Sequence, residues 1–169
     1  MKKSVIKFGS YSALTAAILF TLSLILGKNL DFSTQEVLGY FSIVASLIFI
    51  FFGIKHYRDH FNNGIISMGK AILIGVLISL FASLAIGIVD AIYLKYINPD
   101  FTEQYMNYTL TALEKKLSPE AFELKKAELE MQMQTFANPV FGGLVMFVTV
   151  FIIGFIITLI AALILKRNQ

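Results

Sequence analysis

From Ala71 to Tyr93 the chain reads AILIGVLISLFASLAIGIVDAIY, an apolar run too long for an ordinary core helix and long enough to cross a bilayer. Such a run restricts the chain to a membrane fold, because backbone polar groups inside hydrocarbon must be satisfied within the segment, as a helix does. Small residues recur at every fourth position of it, at Ala71, Gly75, Ser79, Ser83, Gly87 and Ala91. That spacing predicts a packing seam on which a second helix approaches backbone to backbone. Near the end of the run stands Asp90, the only ionisable side chain within any of the long apolar runs. An unpaired charge there is costly, which makes Asp90 the candidate intramembrane polar site.

Three more apolar runs accompany this one. Phe8 to Gly27 follows Lys2, Lys3 and Lys7; it is about 20 residues long and lacks a small-x-small cleavage site, so it reads as an uncleaved span and not as a signal peptide. A second helix is expected to begin near Thr34, with Ser33 and Glu36 as a capping box and Phe32 and Val37 as a hydrophobic staple. Its apolar part, Val37 to Ile54, should continue past the membrane to a stop at Asn62, Asn63 and Gly64. Ser67 is the expected cap of the third helix, and Lys70 falls in its first turn, where the helix dipole disfavours a cation. The fourth span should cover Val140 to Leu165, about 39 Å of helix, restarted by Asn138 and Pro139.

Between the third and fourth runs, residues 98–138 are polar. Two amphipathic helices are predicted there, parted by Ser118 and Pro119. The first carries Phe101, Tyr105, Tyr108 and Ala112 at spacings of four and three; the second carries Phe122, Leu129, Met133 and Phe136. The organisation is therefore all-α: a four-helix transmembrane bundle with a helical hairpin between helices three and four. Residues 1–97 supply three spans, 98–138 the hairpin, and 139–169 the fourth span and tail, as one membrane domain. Composition agrees, with 57% hydrophobic residues and a mean hydropathy of +0.74, well above a soluble domain.

Charge decides the expected orientation. Lys2, Lys3, Lys7, Lys55, Arg58, Lys70, Lys166 and Arg167 fall in short segments on one side, with Asp59 the one acid among them. Lys28, Lys95 and the lysines of the long loop fall on the other. Short cytoplasmic loops are enriched in Lys and Arg, so both termini are expected in the cytoplasm and the hairpin outside. Tyr40, Tyr93 and Tyr96 then mark the outer boundary and Tyr11 and Tyr57 the inner.

Several chemistries are narrowed by residue type. The absence of cysteine removes disulfides, thiolate ligands and thiol nucleophiles. No phosphate-binding glycine loop, nucleophile elbow or nucleic-acid module occurs, so neither an enzyme, a cofactor nor a nucleic-acid partner is expected. His56 and His60, four apart on a helix and beside Asp59, form a weak metal candidate with too few ligands; a membrane-flanking polar collar explains them better. Asp90 lies about 30 Å along the helix from Lys70, at a boundary and away from the midplane where coupled transporters bind. A structural carboxylate pairing with Lys28 or Lys95, or capping backbone, is the favoured reading. The small-residue row suits internal packing against two neighbours, with Val150, Gly154, Thr158 and Ala162 on helix four and Gly9, Ala13, Ala17 and Thr21 on helix one as complements; a homo-oligomer face is the alternative.

GIKHYRDH at 53–60, NNGIISMGKA at 62–71 and INPDF at 97–101, in a chain of four spans with a charged loop before the last, resemble a family of small bacterial membrane proteins catalogued only as a domain of unknown function. The resemblance implies a gram-negative inner membrane and a periplasmic long loop, and it carries no active-site residues. The expected role is structural or accessory, through helix packing in the lipid bilayer or a protein partner met by the 98–138 loop. The alternative is a small transporter or ion-pathway subunit centred on Asp90, with Ser42, Ser46, Ser79 and Thr149 as the only mid-depth polar hints.

Overall fold

A computed structural model describes residues 1–136 and 138–167, excluding the side chains of 134–136. Seven α-helices follow one another: α1 (Lys2–Gly27), α2 (Phe32–Leu47), α3 (Phe49–Phe61), α4 (Met68–Ile92), α5 (Phe101–Glu114), α6 (Pro119–Phe136) and α7 (Pro139–Leu165). Four helical stretches, Lys2–Gly27, Phe32–Phe61, Met68–Ile97 and Pro139–Leu165, are long and apolar enough to cross a membrane. The chain is a multi-pass membrane protein, and its apolar side chains follow that role. Leu22, Leu26, Val44, Leu84, Ile152 and Ile160 point outward, where lipid receives them.

The predicted second span is made of two helices that meet at Ile48, whose backbone stays helical (φ −60°, ψ −26°), within one membrane-spanning stretch. Two residues earlier, the Ser12 hydroxyl of α1 donates to the Ser46 carbonyl at 2.7 Å, while the Ser46 hydroxyl donates back to Ile43 at 2.7 Å. Side chains bonded to helix carbonyls compete with the backbone ladder. The apolar face runs through the junction, with Ile43, Leu47, Ile50 and Ile54 all buried. The expected stop holds: Asn63 (φ 52°) and Gly64 (φ 77°) are left-handed, the conformation in which Asn and Gly end helices at least cost.

The start of the second span differs from expectation. Asp31, not Ser33, is the N-cap: its carboxylate accepts from the Thr34 amide at 2.9 Å, and the Ser33 hydroxyl donates to it at 2.5 Å. Asp competes on equal terms with Ser at this position, and its two oxygens take three donors where one hydroxyl takes one. Phe32 and Val37 form no staple, because Val37 is exposed and the Phe32 ring lies against α5.

Helix α4 is the centre, packing most extensively on α7 and next on α1. Ala71, Gly75, Ser79, Ser83 and Gly87 are all buried on it. Gly75 receives Thr158, Gly154 receives Ser79, and a Cβ on Gly87 would lie 2.7 Å from the Gly143 carbonyl oxygen. Ala91 also faces Gly143, so α7 alone meets four of the six small positions. The contact line sweeps across the α4 face as the four-residue row drifts round the helix. The complement on α7 is the expected one, since Val150, Gly154, Thr158 and Ala162 are buried. On α1 the buried row is Val5, Gly9, Ser12, Ala16 and Phe20, one residue off the expected Ala13 and Ala17, because a helix of 3.6 residues per turn must step back by three to hold one face.

The two ends of the bundle differ. At one end Ile66 and Arg167 exchange backbone hydrogen bonds of 3.1 and 3.0 Å, which ties the α3–α4 connection to the tail, and Arg58 reaches the Leu165 carbonyl at the C-terminus of α7. Ser67 occupies the N-cap position of α4 without a side-chain cap bond, and Lys70 is held over the Tyr57 ring at 5.7 Å. That cation–π contact offsets the unfavourable first-turn dipole. At the other end lie the α1–α2 turn and the α5–α6 hairpin, joined by aromatic contacts.

Candidate functional site

The candidate site is built at the hairpin end by three local devices. The Asp31 cap fixes the first turn of α2; hydrogen bonds from the Ser33 hydroxyl, the Thr34 amide and the Thr34 hydroxyl hold the Asp31 carboxyl down at about 2. Gln35 turns back to the Leu30 carbonyl at 2.9 Å, which leaves Glu36 facing α5. There the Tyr105 hydroxyl donates to Glu36 at 2.6 Å. This charge-assisted bond, together with burial, pushes the Tyr105 phenol up to about 12.

The second device is aromatic. The Phe32 ring stands 5.9 Å from Phe101, 5.6 Å from Tyr105 and 5.1 Å from Tyr108, and Phe101 meets Tyr93 edge-on at 5.7 Å. Contacts of this geometry add to area burial, and they seat α5 on the ends of α2 and α4. The third device is a π-helical segment, Tyr93–Ile97, closed by the Asn98 amide on the Tyr93 carbonyl at 2.9 Å. Such wide turns cluster at functional positions, and this one directly follows the last turn of α4, which carries Asp90.

Between these elements lie two adjoining cavities. One, of about 230 Å³, has Phe20, Phe32, Glu36, Tyr40 and Thr149 among its lining residues. The other, of about 400 Å³, runs under the hairpin between Leu94, Met106, Leu129, Met133 and Val145. Asp90, Phe101, Tyr105 and Met146 belong to the walls of both. Gly142 on α7 makes the space, since a side chain there would strike Leu94 and lie against the Asp90 carboxylate.

The Asp90 carboxylate has no hydrogen bond or ion pair among the described residues. The ion pairs among the described residues are Arg58–Asp59 at 2.6 Å and Lys125–Glu128 at 2.7 Å, so neither Lys28 nor Lys95 is the partner expected from the sequence. Lys95 lies over the Tyr96 ring at 5.1 Å instead. Glu36 and Tyr105 had been legible only as a capping residue and a stripe residue; the Phe32–Glu36 spacing of four, matched by Phe101–Tyr105, was the available signal.

The other polar candidates are not brought to this site. His56 and His60 stack on each other at 4.6 Å, with His56 Nδ1 3.1 Å from the Ser4 hydroxyl and His60 Nδ1 3.2 Å from the His56 carbonyl. Asp59 is taken by Arg58, and among the described residues no three metal-ligating groups gather. Of the mid-depth hydroxyls, Ser42, Ser46 and Ser79 each donate to a carbonyl of their own helix, and Thr149 alone reaches a cavity wall. Phe136, the last member of the α6 stripe, lies outside the described side chains, whereas Leu129 and Met133 face the larger cavity.

Neither the curated proteins nor the solved structures hold a significant match to the chain. A family described as protein of unknown function (DUF4199) matches residues 7–167, all four spans and the hairpin included. On that coverage, the chain belongs to the DUF4199 family of proteins of unknown function.

Proposed function

We propose that this is a non-catalytic, accessory membrane protein that captures a small ligand in the chamber beneath the α5–α6 hairpin. The observation that carries this reading is Asp90, a carboxylate near the end of a membrane span, without a partner among the described residues, in the shared wall of two cavities. Retaining such a group costs stability, and intramembrane acids are therefore functional by default. The two cavities together fall within the size of small-molecule sites, about 300–1,000 Å³, and combine apolar walls with a few polar groups as those sites do.

Two features favour binding over catalysis or conduction. The aliphatic hydroxyls of Ser23 and Thr109 beside the chamber are engaged by helix carbonyls, at 2.8 Å from Phe20 and 2.9 Å from Tyr105, and neither is paired with a base as a nucleophile requires. Below Asp90, the buried hydroxyls of Ser83 and Ser79 are spent on carbonyls of α4 itself, and Gly87 and Gly75 bring α4 close against Gly143 and Thr158 of α7. A conduit would need ionisable or free polar groups continuing toward the midplane.

The charge pattern adds an orientation to this reading, termini in the cytoplasm and hairpin outside, and the family resemblance implies a gram-negative inner membrane. Native mass spectrometry of the protein in lipid nanodiscs tests the capture. The parent should carry a bound small molecule in stoichiometric amount, and Val145→Trp, which fills the larger cavity, should lose it while remaining folded. Equal small-molecule content in the two proteins would overturn the reading.

A further inference from the structure

We propose that the ligand of this chamber is an amphiphilic organic cation, with its ammonium head at Asp90 beside the stacked Phe101 and Tyr105 rings and its apolar tail in the cavity under the hairpin. The inference rests on the capture reading above and gives it a chemical class. Charge carries it first. The walls of the two cavities hold the carboxylates Asp90 and Glu36 and no Lys, Arg or His. Glu36 is engaged by Tyr105, whereas the Asp90 carboxylate has neither donor nor cation among the described residues. An unpaired carboxylate in apolar surroundings favours a guest that brings the opposite charge; an anionic guest would meet two like charges.

The walls then select among cations. A hard divalent ion needs several oxygen ligands, and no group of three metal-ligating side chains stands among the described residues. Aromatic faces beside a carboxylate are instead the usual receptors for alkylammonium groups, through cation–π attraction, and Phe101 and Tyr105 share the walls of both cavities with Asp90. Beyond them the larger cavity continues as Leu94, Met106, Leu129, Met133 and Val145. Methionines adapt to chains of differing shape, which suits an alkyl tail better than a rigid body.

Alkylammonium chemistry comes either from a free amphiphilic amine or from the headgroup of an aminophospholipid. The test is equilibrium binding of radiolabelled decyltrimethylammonium to the full-length protein in nanodiscs of digalactosyl diacylglycerol, a neutral lipid without ammonium groups. Saturable one-to-one binding is expected, weakened at least about tenfold in Asp90→Asn and substantially retained in Asp90→Glu, with decanol at least about tenfold weaker as a competitor. Thermal melting and monodispersity establish that the variants are folded, and Asp90→Glu separates charge from fold should Asp90→Asn fail. Adding phosphatidylethanolamine distinguishes the sources: competition assigns the site to a lipid head, its absence to a free amphiphile. Equal affinity of parent and Asp90→Asn, with binding still lost in Val145→Trp, would overturn the cation and leave the chamber. Binding unchanged in Val145→Trp as well would overturn both.

Discussion

Tyr105 is the residue on which the seating of the hairpin turns, because its phenol joins α5 to α2 through Glu36 at 2.6 Å while its ring packs on Phe32. Tyr105→Phe keeps the ring and removes only the hydrogen bond. The contact is near the surface, so its loss should cost about 1 kcal/mol or less. Hydrogen exchange in α5 should accelerate, with α4 and α7 unchanged. The sign of the pH dependence follows from the phenol's upward shift, from 10.0 to about 12. The stability that this group contributes is fully present below 10.0 and is lost only as pH rises through about 12. The difference in protection between parent and Tyr105→Phe should therefore stay flat from about pH 6 to about pH 9. A difference that changes across that range would mean that another titrating group holds the hairpin. Asp31 has the opposite sign, its carboxyl lowered from 3.8 to about 2: the cap contributes above 3.8 and fails as pH falls through about 2.

Among the elements, the α4–α7 pair bears the consequence of its small residues most directly. A methyl on Gly87 would meet the Gly143 carbonyl oxygen at 2.7 Å, and backbone cannot yield as a flexible side chain does. Gly87→Ala should cost about 1–3 kcal/mol by overpacking and lower the melting temperature in detergent, whereas Leu84→Ala, on the lipid-exposed face of the same helix, should leave it nearly unchanged. Equal melting of both variants would remove the seam as the structural core. This element was legible because a four-residue repeat of small side chains has one physical use in a bilayer, close approach. The interruption of the second span at Ile48 was not legible. It coincides with a hydrogen bond from Ser12 to the Ser46 carbonyl, 34 positions apart in sequence, and no local propensity marks either serine as a partner of the other. The cap of α2 was misassigned for a milder reason: Asp31 and Ser33 both satisfy the local pattern, and only the carboxylate's capacity for three donors decides between them.

At the scale of the whole molecule, the four spans were readable from hydropathy and the hairpin from its Ser-Pro and Asn-Pro punctuation, whereas the chamber was not readable, because its walls come from six helices and its key feature is the lack of a partner for Asp90 among the described residues. What the fold adds to the charge pattern is a grouping by end. The Ile66–Arg167 bridge, the Arg58–Leu165 contact and the Ser4–His56 contact gather the N-terminus, the α3–α4 connection and the C-terminal tail at one end. That is the end carrying Lys2, Lys3, Lys7, Lys55, Arg58, Lys70, Lys166 and Arg167. The α1–α2 turn and the α5–α6 hairpin share the other, through Phe32 and Tyr105. Orientation thus reduces to one choice for the whole bundle, and the excess of Lys and Arg in short segments predicts that the first end is cytoplasmic. Single cysteines read it out without background, since the chain has none. Thr111→Cys on α5 should react with a membrane-impermeant maleimide added to intact cells, and Asn63→Cys should react only after permeabilisation. The reverse labelling would invert the molecule. The chamber would then open to the cytoplasm, and an amphiphilic cation would have to reach Asp90 from inside.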